Sequence, residues 1–233
     1  MKNIIILPTY NEKENITPLI KEIFLLLPDI NIMVVDDNSP DGTADAVKVL
    51  MAKFSNLSLL ERPIKNGLGG AYIAAFKKLI TDNEIKNIIM MDGDFSHNPK
   101  YLQRLLDESQ NHDLVMGSRY IKGGGVAQWE LWRRILSLGG NFYVRFLLGR
   151  NIHDWTGGFN CISAEFLKKV DLDNIDLSGY AFIMGLKYAL IKAGANAKEI
   201  PIIFEARRGG ESKLSHHIIS EGIIAPWKIL FTK

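Results

Sequence analysis

Cysteine is nearly absent from this chain. A single Cys161 among 233 residues excludes a disulfide framework and suits a reducing compartment. Flanked by Asn160 and Ile162, that thiol reads as core packing in preference to a nucleophile. Long apolar runs are missing too: no window offers the ~18 residues a membrane-spanning helix needs. The opening run Ile4-Ile5-Ile6-Leu7 is closed by Pro8, too soon for the core of a signal peptide. Internal repeats and low-complexity linkers are also absent, which favours one compact domain. The five histidines (97, 112, 153, 216 and 217) share no metal-ligand spacing.

Two nucleotide-binding signatures are missing as well. Gly67-Leu68-Gly69-Gly70 precedes a helical pattern but lacks the Gly-Lys-Ser/Thr ending of a phosphate loop. A dinucleotide fingerprint needs glycines after the first strand, where Pro8 and Tyr10 stand instead. An oxidoreductase is therefore disfavoured, and the glycines of 67–70 are expected to let a helix start tightly beside a nucleotide.

What is present is an alternation. Apolar runs at 4–7, 32–35, 57–60, 88–91 and 114–116 interleave with helical periods at 14–27, 43–54, 69–80 and 99–108. Runs apolar throughout predict strands buried on both faces, and the alternation predicts βαβ units with parallel strands. Residues 1–118 therefore predict an open, nucleotide-binding α/β layer. Beyond Gly123-Gly124-Gly125 the pattern predicts a helix over 132–148, a Gly-rich turn at 157–158, a helix over 180–193 and a strand over 199–204. An apolar tail follows at 216–231. The net charge of +2 says nothing about partners, but six Arg/Lys (119, 122, 133, 134, 145 and 150) stand against one acid, Glu130, between 119 and 150.

In open α/β sheets ligands bind outside the carboxyl ends of the strands. Here those ends carry Pro8-Thr9-Tyr10-Asn11-Glu12, then Asp36-Asp37 running on to Pro40-Asp41-Gly42-Thr43, then Asp92-Gly93-Asp94, then Gly117-Ser118-Arg119-Tyr120. The Pro-Asp-Gly-Thr piece alone reads equally as a turn capping the next helix. Asp92 and Asp94 would repel each other unless a hard divalent cation shared with substrate phosphates lay between them. Gly93 removes bulk where such a ligand would approach. Arg207-Arg208-Gly209-Gly210-Glu211-Ser212-Lys213 reads as a loop able to close over an anion, or as incidental surface charge. Arg133 and Ser137 share one helix face, able to hold a phosphate monoester or simply to face solvent. Trp129, Trp132 and Trp155 fit either core or an interfacial set.

These motifs, in their order, resemble inverting family 2 glycosyltransferases of the dolichol-phosphate or polyprenyl-phosphate mannosyltransferase type. The resemblance covers residues 2–230 and rests on LPTYNEKENI from Leu7, VVDDNSPDGT from Val34, GLGGAY from Gly67, MDGDFSHNP from Met91, GSRY from Gly117, TGGFN from Thr156 and GESKLS from Gly210. It implies a single GT-A type domain with a central, mostly parallel sheet flanked by helices. A donor half at 1–118, an acceptor half at 119–215 and an apolar tail at 216–233 would divide it. It also implies GDP-mannose as donor, a polyprenyl or dolichyl phosphate as acceptor and Mg²⁺ or Mn²⁺ as cofactor. Donor contacts would come from Pro8, Tyr10, Glu12, Val35, Asp37, Asp92, Gly93, Asp94, Arg119, Arg207 and Lys213. Asp92 and Asp94 would hold the metal; Arg119, Arg133 and Ser137 would receive the acceptor phosphate; Asp94, Arg207 and Lys213 would carry catalysis. The family's usual Ala between the acids is Gly93 here. The spanning helices of some members are not expected, so the enzyme would sit peripherally at the cytoplasmic face of a membrane or use a separate anchoring subunit. No nucleic-acid partner is expected. A UDP-sugar donor and a non-catalytic nucleotide-sugar-binding subunit are the alternatives.

Overall fold

A strand such as Ile4-Ile5-Ile6-Leu7 can hide every side chain only if a layer covers each face of its sheet. The computed structural model describes residues 1–176, 179–207 and 216–231, with the backbone alone at 180 and 216–221. In it Ile4 and Ile6 pack into one helical layer, and Ile5 and Leu7 into the opposite one. The elements run β1 (Lys2–Thr9), α1 (Lys13–Leu26), β2 (Asn31–Asp36), α2 (Thr43–Met51), β3 (Leu57–Glu61), α3 (Gly67–Leu79), β4 (Ile85–Met90), α4 (Leu102–Glu108), β5 (Leu114–Ser118), β6 (Gly125–Val126), α5 (Leu131–Leu148), β7 (Asn160–Ser163), α6 (Ala164–Leu167), α7 (Gly179–Lys192), β8 (Ala197–Pro201), β9 (Ile203–Phe204) and α8 (His216–Phe231). A 3₁₀ turn at Pro99–Tyr101 leads into α4.

Seven strands form one sheet in the order β3-β2-β1-β4-β7-β5-β8. All run the same way except β7, which is antiparallel to both neighbours. Helices α1, α2 and α4 cover one face; α3, α5, α6, α7 and α8 contribute to the other. The mostly parallel, doubly covered sheet agrees with the apolar runs. Two features depart from the sequence expectation. Strand β7 was not anticipated, because only Cys161 and Ile162 of its four residues are apolar. The expected strand 199–204 divides in two: β8 stays with β5 as far as Pro201, then Ile202 donates to the Ser118 carbonyl (3.1 Å) and accepts from the Gly125 N–H (2.9 Å). The next two residues pair with β6 in a separate two-stranded ribbon.

Both departures matter for position. Because β7 runs backwards, its first residue, Asn160, pairs with Met90 and Met116 near the ends of β4 and β5. The segment 154–159 is thereby delivered to the carboxyl rim. The β6–β9 ribbon brings Phe204, Glu205 and Arg207 over the same rim.

Helix α5 buries only Asn141, Val144 and Leu148. Leu131, Trp132, Ile135, Leu136, Leu138, Phe142 and Phe146 are exposed, as are Ile223, Ile224, Trp227 and Phe231 of α8. Tyr143 joins the two helices, its hydroxyl donating to the Ile223 carbonyl (2.9 Å) and accepting from Trp227 Nε1 (2.7 Å). No helix among the described residues is long and apolar enough to cross a membrane.

Glycines at two sites should respond oppositely to alanine. A Cβ on Gly124 would lie 2.5 Å from the Ser118 carbonyl oxygen and 3.0 Å from the Arg119 backbone carbon. Gly124→Ala should therefore lower stability by about 1–3 kcal/mol. In α5 a Cβ on Gly139 meets nothing within 4 Å, so Gly139→Ala should raise stability by roughly 1 kcal/mol. Chemical denaturation of both variants checks the pair.

Candidate active site

The first two strand ends are built largely from hydrogen-bonded acids. Asp36 accepts from Thr9 Oγ1 (3.0 Å), from the Ser39 N–H (2.9 Å) and from Ser39 Oγ (2.6 Å). Asp41 accepts from the N–H groups of Lys13 (3.1 Å) and Thr43 (2.9 Å) and from Thr43 Oγ1 (2.6 Å). It thus restrains the first turns of α1 and α2, which is the capping reading of the Pro-Asp-Gly-Thr turn. Asp37 differs, since it lines a cavity. Burial pushes its carboxyl above the usual range, opposed by Arg62, which pairs with it at 2.8 Å. The Lys65 Nζ sits 3.5 Å over the Tyr10 ring. The Glu12 backbone N–H donates to Thr43 Oγ1 (3.1 Å), and its carboxylate accepts from Asn15 (2.8 Å). Val35 is off the wall: its side chain is wholly buried in the α3-side core. Helix α3 begins at Gly67, whose φ is +70°, and Gly67 and Leu68 do reach the cavity.

Past β4 the chain makes a tight acidic turn. The Asp94 Oδ1 accepts from the Ser96 N–H (3.0 Å) and from Ser96 Oγ, while Oδ2 faces Arg207 Nε at 2.8 Å. The residue between Asp94 and Ser96, Phe95, is buried and holds φ at 66°, a conformation that bulky residues rarely adopt. Asp92 has no such donors to its carboxylate among the described residues. Burial, with Asp94 nearby, pushes its pKa above the ordinary value. The Asp92 N–H donates to His97 Nδ1 at 3.0 Å, so that nitrogen carries no proton. The 3.6 Å approach of the Asp92 carboxylate to the same atom is therefore not an ion pair, and burial lowers the His97 pKa accordingly. A Cβ on Gly93 would touch the Pro8 carbonyl and Thr9 Cγ2 at 3.4 Å, ordinary contact, so alanine is sterically admissible there.

Arg119, at the end of β5, is not an open cation. Its Nε and Nη2 grip the two oxygens of Asp154 at 2.7 Å each, its N–H donates to Asp154 Oδ2 (3.0 Å), and Nη2 also reaches Thr156 Oγ1 (2.8 Å). Sequence reading missed Asp154. A Cβ on Gly157 would lie 3.2 Å from three carboxyl atoms of Asp154, so glycine in the Thr-Gly-Gly turn leaves room for that acid. Burial pushes the Asp154 pKa up, but Arg119 and Lys187 outweigh it and hold the value at about 2. Lys187 lies inside the protein, its Nζ donating to the Asp154 carbonyl at 2.7 Å. Burial drags its pKa down to about 8, against the pull of Asp154 and Glu199. Glu199 closes the network by accepting from the N–H groups of His153 (3.0 Å) and Asp154 (2.9 Å).

All of these ends open on one cavity of about 530 Å³. Pro8, Tyr10, Glu12 and Asp37 line it, followed by Asp92, Gly93 and Asp94 and by Arg119, Arg133 and Arg207. Arg133 lies over Trp129, 4.3 Å from the ring centroid, and its Nε is buried without a described partner. Ser137 is on the same helix face but not on the wall; its hydroxyl bonds Tyr120 at 2.6 Å. Trp155 is core and Trp132 is exposed, so the three tryptophans do not act as a set. Cys161 is buried with its pKa raised to about 12, an inert core thiol. Lys213, with 208–212, lies outside the described residues.

A mixed seven-stranded sheet thus carries an acidic pair and three arginines at its carboxyl rim. Residues 4–171 match the family described as Glycosyl transferase family 2, and the chain belongs to that family. It is 38% identical over 224 residues to the undecaprenyl-phosphate mannosyltransferase of Micrococcus luteus, covering 96% of this chain and 92% of that one. It is 40% identical over 232 residues to the polyprenol monophosphomannose synthase of Mycolicibacterium smegmatis, covering 98% and 87%. Among solved structures, glucosyl-3-phosphoglycerate synthase from Mycobacterium tuberculosis, in complex with Mn²⁺, UDP and glucosyl-3-phosphoglycerate, superposes with a TM-score of 0.67. It is 17% identical over 97% of this chain and 78% of that one. At that identity the likeness is one of GT-A fold.

Asp154 generates a pH prediction. Its folded pKa, about 2, lies below the unfolded value near 3.9, so its stabilisation is complete above pH 4 and is lost as pH falls towards 2. The size is about 2–3 kcal/mol. Asp154→Asn should lower stability at pH 7 by about 3–5 kcal/mol, because Arg119 is left buried without its counter-charge. The variant should also lose less stability than the wild type as pH falls from 5 to 2, by the share that Asp154 contributes. Urea melts across that range check both.

Proposed function

We propose that the enzyme transfers mannose from GDP-mannose to a polyprenyl or dolichyl phosphate, inverting the anomeric centre, with Mg²⁺ or Mn²⁺ at Asp92 and Asp94. The observation that carries this reading is the meeting of those two acids with Arg119, Arg133 and Arg207 in one cavity. The names of the two mannosyl-transferring relatives support the sugar and the lipid class.

The donor set fits a cation. Asp92 is a carboxylate without described donors, two residues from a second carboxylate. No group of three potential ligand side chains is found among the described residues. Two protein carboxylates completed by substrate phosphates is the way Mg²⁺ is commonly held. When bound, the cation neutralises charge on the departing diphosphate.

The chain's own groups do the rest. In the half 1–118, Pro8, Tyr10, Glu12 and Asp37 bound the end of the cavity suited to base and ribose, and Gly93 leaves the diphosphate free to approach the backbone. Arg207 pairs with Asp94 here and, with Lys213, is suited to neutralising the leaving group, the charge-stabilising role that dominates such transfers. In the half 119–215, Arg133 offers an unpartnered donor to the acceptor phosphate, and Arg119, fixed by Asp154, presents a rigid positive wall. Ser137 joins them if its hydroxyl leaves Tyr120. An acceptor phosphate is already anionic at neutral pH, so no general base is required. Positioning it in line with the anomeric carbon supplies up to ~7–11 kcal/mol.

The apolar faces of α5 and α8, flanked by Arg134, Arg145, Arg150 and Lys228, support peripheral docking at the cytoplasmic face of a membrane or on an anchoring subunit. Each basic residue would contribute about 1 kcal/mol at an anionic surface. One assay tests the whole: labelled GDP-mannose, UDP-glucose and UDP-GlcNAc against a short polyprenyl phosphate, with Mn²⁺ or chelator. Transfer should come from GDP-mannose alone and vanish with chelator. Asp94→Asn should reduce it by at least ~10²–10³-fold with folding intact. Asp94→Ala active in chelator would refute the scheme, and a protein that fails to float with anionic vesicles at low salt would refute direct docking on lipid, leaving the anchoring subunit.

A further inference from the structure

Four residues on the cavity wall have no part in the reaction as described so far. Trp129 meets Phe204 edge to face, centroids 5.7 Å apart at 76°. Beside this aromatic corner stand Gln128 and Glu205, both lining the cavity. Glu205 is held firmly: its N–H donates to the Ser96 carbonyl (3.1 Å) and its Oε1 accepts from Asn98 Nδ2 (2.8 Å). Its second oxygen has no hydrogen bond among the described residues. Gln128 adopts φ 57°, an uncommon conformation outside glycine, and its amide likewise has no described partner. A strained backbone, an exposed amide and a carboxylate oxygen without a described partner on one cavity wall leave polar groups open to a ligand.

The chemistry of the set selects the ligand class. A pyranose presents an apolar C–H face and a rim of hydroxyls. Aromatic rings pack against the first, and a carboxylate beside an amide hydrogen-bonds the second. A carboxylate repels a phosphate, so neither the acceptor headgroup nor the diphosphate is suited to Glu205; a neutral polyol is. The location agrees. Ser96 bonds Asp94 through its side chain and Glu205 through its carbonyl, and Arg207, two residues beyond Glu205, pairs with Asp94. A sugar on the outer phosphate of a nucleotide held at Asp94 therefore comes within reach of Glu205.

We infer that Trp129, Phe204, Gln128 and Glu205 form the subsite for the donor's hexose, and that Glu205 is its specificity-determining residue, accepting hydrogen bonds from the sugar hydroxyls. The subsite rests on the nucleotide-sugar reading above. Calorimetry with GDP and Mn²⁺, alongside steady-state kinetics with GDP-mannose and its C2 epimer GDP-glucose, tests it on Glu205→Gln, Glu205→Ala and Gln128→Ala. Affinity for GDP, which lacks the sugar, should stay within about twofold of wild type. The kcat/KM for GDP-mannose should fall about 10- to 100-fold in the Glu205 variants, the size expected for lost hydrogen bonds to a charged group. The preference for mannose over glucose should shrink in all three. An intact sugar preference in both Glu205 variants overturns the subsite alone. A parallel loss of GDP affinity also overturns it, by assigning Glu205 to the diphosphate and metal. Wild-type protein that binds no GDP overturns the donor reading and the subsite together.

Discussion

Two carboxylates two residues apart, partly withheld from water, repel each other, and much of the rim is arranged around that repulsion. Asp94 is satisfied from within the protein, by Ser96 and by Arg207. Asp92 is not. Its carboxylate has no hydrogen-bond donor among the described residues, and burial pushes its pKa upward. The turn that places the pair is maintained by Phe95, whose buried ring keeps a left-handed backbone in position. Strain of this kind, of order 1–3 kcal/mol, persists only where the surroundings over-determine it. Sheet topology then brings the positive partners: the β6–β9 ribbon carries Arg207 to Asp94, and the reversed β7 carries Asp154 to Arg119.

That second pair shows how a cation is prepared without being consumed. Arg119 is held at both ends of its fork by Asp154, which is itself flanked by Lys187 and anchored through Glu199. A buried network of this kind does not by itself indicate stability, since desolvation offsets much of the Coulombic attraction. It fixes geometry, and a cation fixed in advance loses little freedom when an anion arrives. Arg133 contrasts with it, lying over the face of Trp129 with an Nε that has no partner among the described residues. In the proposed reaction the first shapes the wall and the second is available to a phosphate.

Much of this was legible because the relevant forces are local. Strands apolar on both faces announce themselves, so β1 to β5 fell where the runs 4–7, 32–35, 57–60, 88–91 and 114–116 put them. The acids and Arg119 followed as strand-end residues. What escaped depends on partners distant in sequence. Asn160-Cys161-Ile162-Ser163 is a strand only because β4 and β5 offer edges to it. Asp154 stands 35 positions from Arg119 and reads as any loop acid, and Lys187 reads as any helical lysine. Glu205 sat unnoticed at the end of an apolar stretch because its neighbours Ser96 and Asn98 are over a hundred residues earlier. Val35 belongs to the motif, but alternation along β2 turns its side chain into the core.

The central claim is that Asp92 and Asp94 hold a nucleoside diphosphate through a divalent cation. Titration of GDP into the wild-type protein, with Mn²⁺ and then with chelator, measures this without involving the lipid. The account predicts binding that needs the metal and weakens at least tenfold on its removal, and conversely Mn²⁺ that binds more tightly when GDP is present. Equal GDP affinity with and without the cation would contradict it.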